Sequence, residues 1–289
     1  MRSATVITAR LGSSRLSRKM LTPLRGRPVL EHVVERLQLA KRPDVLLLAT
    51  TSEAQDDELA AAAGRLGVPV FRGASSDILT RWRDAARLHE ADLLVTCDGD
   101  DVFCDPVQVD RVVACHEETG AEYISCVGLP FGTAPTGIAR SGLERVCARK
   151  SQTDTEGQGR FFAQPGIVTR AELQAPESVR HDTARLTLDY PEDLAFFDAV
   201  LAALEPEEGC PSLERIVALL HERPDIVAIN AGLQEEYWER FRERYPPVEL
   251  GESETGSRSS AVPAGDPPSS AVPAGDSSPS ETPSSRSSV

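Results

Sequence analysis

Cysteine is scarce in this chain of 289 residues: there are six, Cys97, Cys104, Cys115, Cys126, Cys147 and Cys210, none of them in a CxxC pair. Dispersed among apolar neighbours, they exclude a disulfide framework and read as reduced, packed thiols. The five histidines show no HxxxH or HxH spacing, so no zinc site is expected. No window approaches the roughly 18 to 20 apolar residues of a membrane span. The one apolar run near the start, ATVITA, is soon followed by charges, unlike a secretory leader. A cytoplasmic protein with no membrane contact is the expectation. Positive charge is the minority sign, 31 Lys and Arg against 45 Asp and Glu, for a net charge of -14. Such a body repels polyanions, which argues against nucleic acid as a partner. Two phosphate-binding signatures, GxxxxGK[ST] and GxGxxG, are missing as well.

Against that background the stretch ARLGSSRLSRK stands out, because it sets Arg10, Arg15, Arg18 and Lys19 within ten residues of one another in an acidic protein. A basic cluster of this size suits a small anion that can be enclosed. The loop leaves the predicted first strand through Ala9 and carries Gly12, Ser13 and Ser14, whose backbone N–H groups and hydroxyls can turn inward while the cations converge. A solvated basic loop is the plain alternative.

Along the chain, apolar runs rich in β-branched residues alternate with amphipathic windows, the pattern of strands each followed by a crossover helix. Strands are expected at ATVITA, DVLLLAT, VPVF, ADLLVTC, AEYISC and ARLTLD, with helices between and after them. Ser76 is the expected N-cap of the helix SDILTRWRDAARLH. Residues 127–185 hold only short apolar runs and read as an insertion. From 247 the chain turns to Ser, Pro and Gly and repeats SSAVPAGD, a composition that cannot offset its chain entropy, so 247–289 is expected to be a disordered tail behind a domain at 1–246.

Two acidic features fall at predicted strand ends. ADLLVTC runs into DGDD, crowding Asp98, Asp100 and Asp101 where open α/β sheets bind ligands. Carboxylates so close repel one another unless a cation sits among them, and oxygen ligands suit magnesium. Asp189 ends RLTLD, and its carboxylate could reach the same ion if that strand returns beside ADLLVTC. Glu192 and Asp193, in the first turn of the next helix, are accounted for by the helix dipole alone.

These pieces, in this order, resemble the cytidylyltransferases that activate acidic sugars. ARLGSSRLSRKMLTPLRGRPVLEHVVERL is similar to the opening of the 3-deoxy-manno-octulosonate, acylneuraminate and spore coat polysaccharide F groups, FRGASSDILTRWRDAA to the last group's FRGSxxDVLxRxxxAA, and RLTLDYPEDL to its TVDTPEDL. Ser17 and Arg18 stand where that family has Pro-Gly, and CDGDDVFCDP is longer than its GDCPLIDP. The resemblance implies a nucleotide-diphospho-sugar transferase (GT-A-like) fold, mostly parallel sheet flanked by helices. It also implies Mg2+, a nucleoside triphosphate, usually CTP, a small acidic acceptor and a homodimer formed near 127–185. Arg10 and Lys19 match triphosphate ligands, Ser13, Ser14 and Arg15 line the same loop, and Asp98 and Asp189 match the magnesium carboxylates, with Asp100 or Asp101 beside Asp98. Arg72, Asp77 and Arg81 border the nucleotide by the same resemblance, although Asp77 could simply support a helix start and Arg81 pair with it. Glu156, Gln158 and Arg160 are candidates for the acceptor, Arg160 through a carboxylate or phosphate. Two other readings stand beside this one. Asp98-x-Asp100 satisfies the Asp-x-Asp of metal-dependent glycosyltransferases, and a non-catalytic nucleotide-binding module could keep the fold.

Overall fold

The computed structural model describes residues 1–12, 15–204, 209–248 and 250–251. Ser13, Ser14 and the repeats beyond 251 lie outside the described residues. The first apolar run forms β1 (Ser3–Thr8). A two-residue antiparallel pair, β2 (Pro23–Leu24) and β3 (Arg27–Pro28), leads into α1 (Val29–Leu37), whose apolar residues at 29, 30, 33, 34 and 37 make one buried stripe. The alternation continues through β4 (Val45–Thr51), α2 (Asp57–Arg65), β5 (Val70–Gly73), α3 (Ile78–Leu88) and β6 (Leu93–Asp98). β5, β4, β1 and β6 lie side by side and parallel. Successive strand side chains point to opposite faces, so Ala4, Val6, Leu47 and Leu94 enter one core cluster with Trp82 of α3, while Ile7, Leu48 and Val95 enter another with Val33 of α1. Strands buried on both faces by helices need the near-continuous apolar runs this sequence has.

Beyond β6 come α4 (Pro106–Thr119), β7 (Tyr123–Val127), β8 (Thr136–Ala139), α5 (Arg140–Arg149) and β9 (Arg170–Gln174). The described strands give one seven-stranded sheet in the order β5-β4-β1-β6-β8-β7-β9. β8 is the antiparallel member, between β6 and β7, and β9 runs parallel to β7. The stretch 127–185 is therefore woven into the sheet, to which it contributes β8 and β9. The sequence concealed β8 because it is four residues long with a glycine inside. α6 (Pro191–Leu204), α7 (Leu213–Glu222), the single turn α8 (Pro224–Val227) and α9 (Leu233–Arg244) complete the described elements. None of the described helices is long and apolar enough to cross a membrane. Val248 and Leu250, past the expected edge of the domain, pack against the second core cluster.

Two local expectations are corrected. ARLTLD is not a strand: its β-pairing is a single isolated bridge between Arg185 and Phe131, outside the sheet's strands. The segment is nonetheless extended and tied, with Leu186 N donating to Phe131 O at 2.7 Å and Leu188 N to Asp100 O at 2.9 Å. Gly132 makes this approach possible, because its φ of +92° and the Leu186 carbonyl against it leave no room for a Cβ. The α3 N-cap is Asp77, not Ser76: the Asp77 carboxylate accepts from Thr80 N at 3.0 Å and Thr80 Oγ1 at 2.8 Å. Asp77→Ala should lower stability by about 1–2 kcal/mol and Ser76→Ala by less than about 0.5 kcal/mol in urea unfolding. The reverse ranking would contradict this capping.

Candidate active site

The chain leaves the carboxyl ends of β1 and β6 at the same rim of the sheet, where open α/β sheets bind ligands. A cleft of about 980 Å³ opens there. After β1 the loop is held in shape from two sides. Leu11 N donates to the buried Asp56 Oδ1 at 2.7 Å, and Arg18 N closes back on the Leu11 carbonyl at 3.3 Å. That closure points Arg10, Arg15 and Lys19 into the cleft beside Ala9 and Gly12, while Arg18 swings away to Glu58 on α2, 2.6 Å distant. β6 presses its end against this loop at Gly99, where a Cβ would stand 2.8 Å from Ala9 Cβ and 2.9 Å from Met20 Sδ.

The acidic pieces arrive from two directions. The Lys19 ammonium bonds Asp100 and lies 3.1 Å from Asp189 Oδ1, and Arg15 Nη2 reaches the same Asp189 oxygen at 2.6 Å. From below, Arg185 Nη2 holds Asp189 Oδ2 at 3.1 Å, and Arg185 Nε holds Asp193 Oδ1 at 3.0 Å. Asp193 also accepts from Asp189 N at 2.8 Å, Tyr190 N at 3.0 Å and Asn230 Nδ2 at 2.8 Å. Arg185 and Asp193 have no exposure to solvent. Asp193 thus does more than face a helix dipole: it anchors the segment that aims Asp189.

Burial alone would raise the Asp189 carboxyl, but Lys19 and Arg15 outweigh it and hold it down at about 2. Burial likewise works against the Lys19 ammonium, and Asp100 and Asp189 more than compensate, so it is raised above the ordinary lysine value. Asp98 differs. Burial, with Asp100 adding to it, pushes Asp98 up to about 7 against the opposing pull of Lys19 and the Gln158 amide. Asp101 is pushed well above the carboxylate range by burial, Asp100 and Asp98. Asp98 and Asp101 are therefore the acidic groups of this region that neighbouring cations compensate least.

Among the described residues no three His, Cys, Asp or Glu side chains are arranged to hold a metal ion by themselves. The donor chemistry nevertheless fits a hard divalent cation: the groups are all carboxylate oxygens, and Asp98 forms no ion pair among the described contacts. An ion of the magnesium kind uses one or two protein carboxylates and completes its shell with phosphate and water oxygens.

The remaining expected site residues divide. Arg81 lines the cleft, donating to Ala74 O at 2.9 Å, and it does not pair with Asp77. Burial and the neighbouring Arg10 lower its guanidinium to about 10. Asp77 is spent on its cap and on Lys150. Arg72 stands outside the cleft, pinning the Thr51 and Glu53 carbonyls at 3.0 and 2.9 Å and Asp57 at 2.6 Å. Glu156, Gln158 and Arg160 all line the cleft. Glu156 is paired with Arg10 and accepts from the Tyr245 hydroxyl. Arg160 is occupied by the Glu156 carbonyl at 3.1 Å and the Pro246 carbonyl at 2.6 Å, leaving it little freedom for a ligand.

Sequence reasoning missed Asp56, Arg185 and Asp193, and it missed the whole cleft face of α9, which carries Tyr237, Trp238, Arg240, Phe241, Arg244 and, just after it, Tyr245. A signal was present: aromatic residues are 5% of this chain, yet YWERFRERY holds four in nine positions.

Because Asp193 compensates a buried guanidinium, Asp193→Ala should cost about 3–5 kcal/mol in urea unfolding. Glu192→Ala, at an exposed position one residue away, should stay within about 0.5 kcal/mol. Equal effects of the two substitutions would remove the anchoring role.

The sequence model of a cytidylyltransferase family matches residues 4–158. The chain is 28% identical over 229 residues to the spore coat polysaccharide biosynthesis protein SpsF of Bacillus subtilis, covering 76% of this chain and 94% of the relative. It is 30% identical over 224 residues to a 3-deoxy-manno-octulosonate cytidylyltransferase of Anaeromyxobacter dehalogenans, covering 75% and 85%. A cytidylyltransferase structure from Leptospira borgpetersenii superposes with a TM-score of 0.70 at 23% identity, covering 78% of this chain and 97% of that one. CMP:2-keto-3-deoxy-manno-octonic acid synthetase complexed with CTP superposes at 0.55 with 16% identity, covering 70% and 99%. These two structures establish the shared fold, and the sequence matches establish the rest: the chain is a nucleotidyltransferase of the cytidylyltransferase family.

Proposed function

We propose that the protein transfers CMP from CTP to an oxygen of a small acidic acceptor, a sugar acid or phosphonate, with release of pyrophosphate and with Mg2+ as its metal. The observation that carries this reading is the meeting of Arg10, Arg15 and Lys19 with Asp98 and Asp100 in one cleft, with the buried Asp189 held against Arg15 and Lys19. The names of the relatives, which act on 3-deoxy-manno-octulosonate or serve polysaccharide biosynthesis, support the acceptor class. The Asp98-x-Asp100 glycosyltransferase reading has less support, since Asp100 is engaged by Lys19 and the matching family is one of nucleotidyltransferases.

In this reading Arg10 and Lys19 bind the triphosphate by exchanging Glu156, Asp100 and Asp189 for phosphate oxygens. Both are then placed to neutralise charge that grows on the departing pyrophosphate as the acceptor oxygen attacks the α-phosphorus. Arg81, with its Nε lacking a partner among the described side-chain contacts, adds positive potential behind Arg10. Asp98 and Asp189, with Asp100 beside them, are the carboxylates that would hold the divalent ion. Bound there, the ion would supply Lewis-acid stabilisation of phosphate oxygens. Asp193 and Arg185 take no part in the chemistry and keep Asp189 in place.

Lys19→Ala should lower the rate of pyrophosphate release from CTP by roughly two to three orders of magnitude, with an unchanged circular dichroism spectrum. Arg72→Ala, at a residue outside the cleft, should retain the rate to within about threefold. The measurement is a pyrophosphate assay with four nucleoside triphosphates against sugar-acid and phosphonate acceptors. Wild-type turnover in Lys19→Ala would remove the assignment.

A further inference from the structure

The roof of the cleft is α9, and none of its residues is buried. Tyr237, Trp238, Phe241 and Tyr245 are half-buried and line the cleft together with the exposed Arg240 and Arg244. Positions 237 and 241 are four apart and share one helix face, with 240 and 244 beside them, and Tyr245 follows directly at the helix end. Three aromatic rings of this helix, and a fourth just after it, are thus left partly open at the cleft. The rings pack on one another, Trp238 and Phe241 T-shaped at 5.5 Å and Phe241 and Tyr245 tilted at 5.0 Å between centroids. The result is a continuous aromatic surface with arginines at its border.

The placement of α9 separates it from the triphosphate end. It rests on the 127–185 stretch, through Phe131, whose ring centroid lies 5.3 Å from Tyr237 and 5.0 Å from Trp238. It rests again on the 156–160 turn, where a Cβ on Gly157 would stand 3.0 Å from the Phe241 ring. Tyr237 marks the border, with Arg15 above its ring at 5.5 Å and Arg185 at 5.1 Å. A cleft near 980 Å³ lies at the upper end of single-ligand pockets, which run to about 1,000 Å³. It has room for a second ligand beside a nucleotide.

Charge decides what that ligand is. Asp98 and Asp100 line the floor, Arg10, Arg15 and Lys19 stand at the triphosphate end, and the protein as a whole is at -14, so an anion entering at the α9 end needs cations there to meet it. Arg240 and Arg244 are the arginines α9 turns to the cleft, and both are lightly held. Arg240 has Glu236 on its own helix and the Tyr190 hydroxyl at 3.3 Å, and Arg244 has Glu156 at 3.6 Å. Guanidinium groups beside aromatic faces suit a small molecule with a carboxylate or phosphonate at one end and a ring or apolar face at the other.

We infer that α9 is the acceptor-recognition wall: Arg240 and Arg244 bind the acceptor's anionic group, and Trp238 with Phe241 stacks on its apolar face. This rests on the nucleotidyl-transfer reading above and adds the element that selects the second substrate.

The test uses the full-length protein with 3-deoxy-manno-octulosonate and methylphosphonate as acceptor probes. The variants are Arg240→Ala with Arg244→Ala, Arg240→Lys, and Trp238→Leu. Removing both arginines should raise the KM for the acid that turns over by about 10- to 100-fold, while CTP affinity by calorimetry stays within about threefold. Arg240→Lys should recover part of the loss. Acid binding should change the fluorescence of Trp238, a signal absent from Trp238→Leu, whose remaining tryptophan, Trp82, is fully buried. An unchanged KM, or a parallel loss of CTP affinity, would overturn the inference. If the wild type releases no pyrophosphate from CTP with either acid, the nucleotidyl-transfer reading fails on these probes. The fluorescence titration then decides α9 alone: a response lost in the double arginine variant upholds it, and no response to either acid overturns it.

Discussion

A guanidinium with no access to water sets the geometry of this cleft. Arg185 lies under the floor, and burying its charge is tolerable only because Asp193 and Asp189 compensate it from two sides. Asp193 in turn is fixed by two backbone N–H groups and by Asn230. Asp189 therefore offers its free oxygen upward, to Lys19 and Arg15, from a base that cannot shift without stranding a charge. A loop near the start of the chain and a segment some 170 residues later thus meet at a fixed point.

The cations of the first loop are already matched to carboxylates: Lys19 to Asp100 and Asp189, Arg15 to Asp189, Arg10 to Glu156. Such pairing lets a protein of strongly negative charge keep positive groups preorganised in a cleft, and in the proposed reading a triphosphate would enter by exchange rather than by creating the site. Burial acts on both neighbours, and the cations beside them decide their opposite shifts. Asp189 faces two cations that outweigh its burial, whereas burial and the neighbouring Asp100 push Asp98 up further than Lys19 can offset. A divalent ion brought in with the nucleotide would remove that imbalance.

Much of this was legible in the residues. The alternation of apolar runs and amphipathic windows predicted five of the sheet's strands near their observed positions, because strands buried on both faces must be apolar throughout. Arg10 and Asp98 stood out as charges at the ends of predicted strands, and Lys19 and Asp189 through the resemblance of their motifs. β8 was not readable, since four residues around a glycine carry no periodicity. The segment before Asp189 read as a strand for its alternating Leu186 and Leu188, but its hydrogen bonds go to Phe131 and Asp100 rather than to a strand partner. Asp193 and Glu192 looked equivalent in sequence, and burial alone tells them apart. Asp77 and Arg72, drawn toward the nucleotide by resemblance, serve a helix cap and a loop. The α9 face required knowing that a helix so distant in sequence folds back over the cleft.

The most direct measurement is the distance from Lys19 Nζ to the nearest phosphate oxygen in crystals of the protein grown with CTP. The account predicts a hydrogen-bonding distance of about 2.7–3.2 Å, with Arg10 released from Glu156 onto the same triphosphate. A triphosphate seated elsewhere, with Lys19 still clasped between Asp100 and Asp189, would contradict it.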